Sequence, residues 1–221
     1  MTLVLLAGMM CDARLFDHMP PHVCLPITGA DTVGAIAQDV LSAAPDTFAL
    51  GGLSMGGIIA MEVIRQAPDR VSRLCLMDTN CEAETDKIKA LRAPQMDRAL
   101  AGQLHSVMRD EMKPNYLADG PNRSDVLDLC MDMALGLGSD VFVRQSRALR
   151  DRPDQKATLS TWDKPTLVLC GAQDRLCPLH RHTLLTILMP QAKLRVIEDA
   201  GHLPPLEQPQ ATATALADWF N

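Results

Sequence analysis

The chain has 221 residues, 47% of them hydrophobic and 22% charged, which suits one domain with a sizeable core. A net charge of −6, a pI near 5.4, no Lys/Arg run and only 3% aromatic residues argue against nucleic-acid binding and base stacking. No apolar stretch is long enough to span a bilayer. The seven scattered cysteines contain no C-x-x-C pair, so a soluble protein of a reducing, cytoplasmic compartment is expected.

Residues 3–7 form a continuous apolar run, as in a strand buried on both faces of a parallel sheet. Residues 24–27 are a weaker second strand. Asp31 or Thr32 can cap a helix over residues 33–43, with Ile36, Ala37, Val40 and Leu41 on one side. A strand ending at Leu50 feeds a helix that stops before Pro68, and residues 71–77 are strand again. This alternation predicts a parallel sheet wrapped by helices.

The rhythm changes after Asp78. Residues 80–154 are helix-forming, Met-rich and charged, with Pro94, Pro114, Gly120, Pro121, Gly136 and Gly138 expected to cut them into about three to five helices. Strands return at 165–171 and 194–197, with a helix over 179–188 between them. A last helix over 208–220 has Ala211, Ala215, Leu216, Trp219 and Phe220 available to the sheet. The expected organisation is a core of residues 1–79 and 155–221, with 80–154 inserted as a helical cap over the strands' C-terminal edge, where open α/β sheets bind ligands.

The most informative stretch is Gly51-Gly52-Leu53-Ser54-Met55-Gly56-Gly57, between strand and helix. So abrupt a turn strains its central residue and requires small neighbours two positions away, which Gly52 and Gly56 supply. This is a G-x-S-x-G nucleophile elbow, with Ser54 exposed at a helix N-terminus that favours negative charge. A serine hydroxyl needs a base, and an imidazole base needs a carboxylate to orient it. Elbow proteins supply them in the order Ser, acid, His. Asp174, directly after the 165–171 strand, is the expected acid, and His202, after the 194–197 strand, the expected base. Asp78 ends a strand at the same edge and is the alternative acid. His180 and His182 lack the further ligands of a metal site and read as a solvated helix start. His105 sits in the insertion, where a surface place is the default. The oxyanion hole needs two backbone N–H donors. Met55 follows the nucleophile, and Met9 is the other candidate, with Met10 as fallback. The side chains of Met9, Met10 and Met55 are expected to line an apolar acyl pocket, shaped from the cap by Met96, Met108, Met112, Met131 and Met133.

Together these residues resemble the α/β-hydrolase superfamily: an oxyanion loop, Gly52-Leu53-Ser54-Met55-Gly56-Gly57, a helical lid, Gly171-Ala172-Gln173-Asp174 and Ala200-Gly201-His202. The resemblance covers nearly the whole chain. It implies a three-layer α/β/α sandwich of about six parallel strands, because the chain starts at what looks like the family's third strand and lacks the first hairpin. Ala7 stands where many relatives have His. The implied activity is hydrolysis of a carboxylic ester of a small to medium apolar substrate, without metal or organic cofactor, by a monomer or homodimer. Thioesterase, C–C hydrolase and lyase chemistry are the alternatives on the same fold, and a receptor with a vestigial triad is the non-enzymatic one. Arg144 or Arg147 facing Ser54 would indicate a carboxylate-bearing substrate.

Overall fold

The computed structural model describes residues 1–220. Its strands are β1 (Thr2–Leu6), β2 (Val23–Cys24), β3 (Phe48–Leu53), β4 (Val71–Met77), β5 (Thr166–Gly171) and β6 (Lys193–Ile197). They form one sheet in the order β2-β1-β3-β4-β5-β6, with every pair parallel. The expectation of about six parallel strands holds. β2 is only two residues long, because Pro26 has no N–H to continue the ladder. From β1 the chain runs outward to β2 and returns past β1 to β3, so the strand order reverses between β1 and β3. Such a switch point leaves a crevice at the strands' C-terminal ends.

The helices are α1 (Val33–Ala43), α2 (Met55–Gln66), α3 (Asp86–Arg98), α4 (Leu104–Val107), α5 (Arg123–Arg150), α6 (Lys156–Ser160), α7 (Leu179–Leu188), α8 (Pro204–Glu207) and α9 (Pro209–Phe220). Side chains alternate across the strands and divide the core in two. Val4, Leu6, Leu50, Leu74 and Leu76 meet α1, α2 and Leu185 of α7 on one face. Leu3, Leu5, Ala49, Cys75 and Met77 meet Leu15, Phe16 and Leu216 of α9 on the other. In α9 Thr212 is buried and Ala211 exposed, contrary to the expected face. Thr212 can be buried because its hydroxyl donates to Gln208 O at 2.8 Å.

Between β4 and β5 the chain is helical. Pro94 does not cut it: Pro94 lies inside α3. Gly136 is continuous with α5. Gly120 and Pro121 lie in the turn before α5, as expected, and further breaks fall at Gly102 and Gly138, both at φ 82°, a left-handed value that glycine reaches without steric cost. The two halves of α5 serve different cores: Val126, Cys130 and Met133 the second, Val141, Phe142 and Leu149 the first. This block therefore bridges both layers.

Packing at the elbow leaves no room for a side chain. A Cβ on Gly52 would collide with the backbone of Gly56, and a Cβ on Gly56 with the carbonyl of Leu6 at the end of β1. Neither obstacle is a flexible side chain. Gly56→Ala is expected to lower stability by about 3 kcal/mol or more, since backbone must move. Gly136→Ala, where a Cβ meets nothing within 4 Å, is expected to raise it by about 0.5–1 kcal/mol. Urea unfolding midpoints of the two variants check both signs.

Candidate active site

Because all strands are parallel, the loops after β1, β3, β4, β5 and β6 open at one edge. They carry Met9, Ser54, Asp78, Asp174 and His202. Ser54 has φ 54° and ψ −114°, a strained conformation for a residue with a Cβ. Its backbone is held on both sides: its N–H donates to Met77 O at 2.9 Å, and its carbonyl accepts from Ile58 N at 3.1 Å and Thr79 Oγ1 at 2.7 Å. The hydroxyl is left to a cavity of about 520 Å³, lined by Gly8, Met9, Leu53, Tyr116 and His202 among others.

His202 Nδ1 lies 2.8 Å from Asp174 Oδ2. Asp174 Oδ1 accepts from Leu176 N at 2.8 Å and Cys177 N at 3.0 Å. Burial pushes the Asp174 carboxyl up, but His202 and these two N–H groups outweigh it and hold the acid below its ordinary value. Asp174 is therefore charged at neutral pH. Nδ1–H of His202 donates to it, which leaves Nε2 as the free ring nitrogen. The ring's place is fixed from the helical block: His202 N–H donates to Tyr116 O at 2.6 Å, and the Tyr116 ring stands 6.1 Å away, tilted.

Met9 N–H and Met55 N–H find no protein acceptor among the described residues; Met55 opens α2, where N–H groups are unpaired. Met10 N–H is taken by Gln145 Oε1 at 2.9 Å, which removes the fallback donor. The Met10 and Met55 side chains do not line the cavity as expected. Both are buried in the first core cluster, because φ 57° at Met10 turns its side chain inward and Met55 faces the sheet. Of the cap methionines only Met112 lines the cavity. Met96 and Met108 fill the first core cluster and Met133 the second, while Met131 packs against the first.

Two other expectations change. His182 is no solvated residue: it is fully buried and its Nε2 accepts from Thr79 N at 3.2 Å. Burial lowers it to about 4, so it stays neutral. Arg144 and Arg147 face away from Ser54. Arg144 donates to Thr28 O at 2.8 Å and Arg147 pairs with Asp31 at 3.4 Å. His105 is exposed, as expected. Asp174, Cys177 and His202 bring possible ligand atoms within 4.8 Å of one another, but burial and the Asp174 charge push the Cys177 thiol up and keep it protonated, a poor donor set for a cation.

Several residues that position the site carried no weight in the sequence. Gln145 joins the loop after β1 to Ile27, accepting from Met10 N and donating to Ile27 O at 3.2 Å. Its signal was a lone amide on the apolar face of α5, one turn from Val141. Glu207 accepts from Gly201 N at 2.8 Å, Ala118 N at 2.7 Å and Leu203 N at 2.9 Å, so it ties the His202 loop to the helical block. Burial pushes its carboxyl up although these three N–H groups favour the charge. Its signal was a single acid in a Pro-rich run five residues after His202.

Asp78 is fully buried, at φ 43°. Its Oδ1 accepts from Gly171 N at 2.8 Å, and its Oδ2 finds no donor. Burial and the neighbouring Asp174 push its carboxyl well above the ordinary range. Two adjacent buried acids cannot both ionise, so Asp78 keeps the proton and Asp174 the charge. A raised folded-state value means that the unfolded chain loses this proton first. Stability then falls as pH rises from about 4 toward the folded-state value. Asp78→Asn, which preserves the bond to Gly171 and can donate to Asp174, is expected to lose this decline. Its stability relative to wild type should be greater at pH 8 than at pH 5 in urea titrations, and an unchanged difference would contradict the assignment.

With this geometry in place, similarity to known proteins can be weighed. A family model described as "Alpha/beta hydrolase family" matches residues 12–215. The chain is 27% identical over 219 residues to a pimeloyl-[acyl-carrier protein] methyl ester esterase of Aromatoleum aromaticum, covering 90% of this chain and 84% of the relative. It is 24% identical to the enzyme of that name from Neisseria meningitidis, covering 97% and 91%. Among solved structures it superposes on a thermophilic esterase from Thermogutta terrifontis, solved with malate bound, at a TM-score of 0.91 and 26% identity, covering 100% of this chain and 89% of the other. An enol-lactonase from Burkholderia xenovorans LB400 shares the fold at a TM-score of 0.86 and 17% identity, covering 99% and 91%. The family model takes in β2 to β6 and the loops that carry Ser54, Asp174 and His202: the chain belongs to the alpha/beta hydrolase family.

Proposed function

We propose that the protein is a serine carboxylesterase in which Ser54 is the nucleophile, His202 the base and Asp174 its orienting acid. The coarse part, an ester-hydrolysing enzyme, rests on relatives that are named esterases across most of the chain. The observation that carries the finer part is the His202–Asp174 pair at 2.8 Å, opening on the same cavity as a Ser54 held at φ 54°.

Nε2 of His202 takes the Ser54 proton as Oγ attacks the ester carbonyl. Charged Asp174 stabilises the imidazolium without itself taking the proton. The oxyanion forms beside the unpaired N–H groups of Met9 and Met55. His202 then protonates the departing alcohol, and a water activated by the same nitrogen hydrolyses the acyl-enzyme. The apolar lining from Met9, Leu53, Ile58 and Met112 suits a small to medium acyl chain. The relatives named as methyl ester esterases support a small leaving alcohol.

p-Nitrophenyl esters from acetate to decanoate, compared between wild type and Ser54→Ala, test this reading. Wild-type hydrolysis should peak at one chain length, and the variant should lose about 10⁴-fold or more in kcat. A folded Ser54→Ala variant with wild-type turnover would overturn the assignment.

A further inference from the structure

The apolar lining leaves one side of the cavity unexplained. Its wall also carries Glu82, Glu84, Arg92, Glu111, Arg152 and Arg181. Most of these charges are matched locally. Glu82 pairs with Arg181, and with Lys156 at 3.3 Å; Glu111 pairs with Arg98. Asp154, also on the wall, pairs with Lys156 at 2.9 Å.

Glu84 is different. Its carboxylate is almost completely buried and is shared by two guanidiniums. Arg92 Nε donates to Glu84 Oε2 at 2.7 Å and Arg92 Nη2 to Oε1. Arg152 Nη1 donates to the same Oε1 at 2.9 Å, and Arg152 Nε to Glu82 O at 2.9 Å. Arg92 Nη1 and Arg152 Nη2 have no protein acceptor among the described residues, yet neither is sealed from solvent. The two side chains are only 12% and 10% exposed, and the space they open on is the cavity that holds Ser54.

Two nearly buried cations beside one carboxylate leave one positive charge in excess, with two N–H forks turned toward ligand space. Burial pulls Arg152 below its ordinary value, and the charge of Arg92 adds to this while Glu84 opposes it. A second anion would relieve that strain. A planar carboxylate meets a guanidinium through two parallel hydrogen bonds, a match of shape as well as charge.

Resting on the esterase reading above, we infer that the substrate carries a free carboxylate as well as the ester, and that Arg92 and Arg152 hold this carboxylate while Ser54 attacks the ester. The substrate class is a half-ester of a dicarboxylic acid. Apolar wall between the two polar sites selects the spacing between the two groups.

The test compares methyl half-esters of the acids from succinate to suberate with the dimethyl esters of the same acids. With wild type, kcat/KM for the half-ester should exceed that for the diester by about tenfold or more at one preferred length, as a charge-assisted hydrogen-bonded contact is worth. In Arg152→Gln and in Arg92→Gln the ratio should fall toward one, mainly through KM of the half-ester. Diesters hydrolysed as well as half-esters at every length, by a wild type active on p-nitrophenyl esters, would overturn the carboxylate site and leave the esterase standing. If no ester is hydrolysed, the esterase reading fails, and the site is judged by binding alone. Calorimetric titration of wild type with adipate and with dimethyl adipate should then show binding of the dianion only, and equal or absent binding of both would overturn it. The wild-type comparison keeps the proposal testable if either arginine variant does not fold.

Discussion

A backbone approach with no room for a methyl group organises the site. At Gly52 and Gly56 the end of β3, the start of α2 and the end of β1 come so close that any Cβ would strike main chain. That contact directs the chain through Ser54 at φ 54°, and the bonds to Met77, Ile58 and Thr79 secure the strained turn from three sides. Strain of about 1–3 kcal/mol persists only where surrounding structure over-determines it. Here the same arrangement places a half-buried Ser54 at the N-terminus of α2, on the wall of the cavity.

Electrostatics at this edge depends on deciding which groups stay neutral. Two acids, Asp78 and Asp174, and two imidazoles, His182 and His202, crowd the ends of β4, β5 and β6. Burial keeps Asp78 protonated and His182 unprotonated, while His202 and two backbone N–H groups keep Asp174 charged. The Asp174 charge then lies beside the imidazole that opens on the cavity. Asp78 thus supports its neighbour by being uncharged, and two like residues take opposite states from their surroundings.

How much of this was legible in the sequence depends on how local the information is. The sheet, its parallel sense, α1 and α7 follow from hydrophobic runs and short connections, which short-range pattern encodes. The placement of Ser54, Asp174 and His202 at one sheet edge was readable because each residue follows a strand. What escaped the reading was set by distant partners. Pro94 sits within α3, and of the two expected breaks in α5 Gly138 acts while Gly136 does not, because tertiary packing decides which potential breakers act. Met10 and Met55 point into the core because of backbone angles that sequence does not display. Gln145 and Glu207 bond to main chain 135 and 89 positions away, at Met10 and Ala118, a separation that no local pattern reports. The arginines on the cavity wall are Arg92, Arg152 and Arg181, not Arg144 or Arg147.

The bonds from the helical block to the loops at the sheet edge bear on how molecules get in and out. Gln145 holds Met10, Tyr116 holds His202, and Ala118 is held by Glu207. Lifting the block would exchange all three for water, at about 1 kcal/mol each, so the opened form sits below about one molecule in a hundred. An opened molecule would also have an unsupported His202 loop, and so would be idle while open. A molecule that enters with the block seated keeps these bonds, and the cavity it enters carries Arg92, Arg152 and Arg181 on its wall. The block works as a keystone for the loops at the sheet edge.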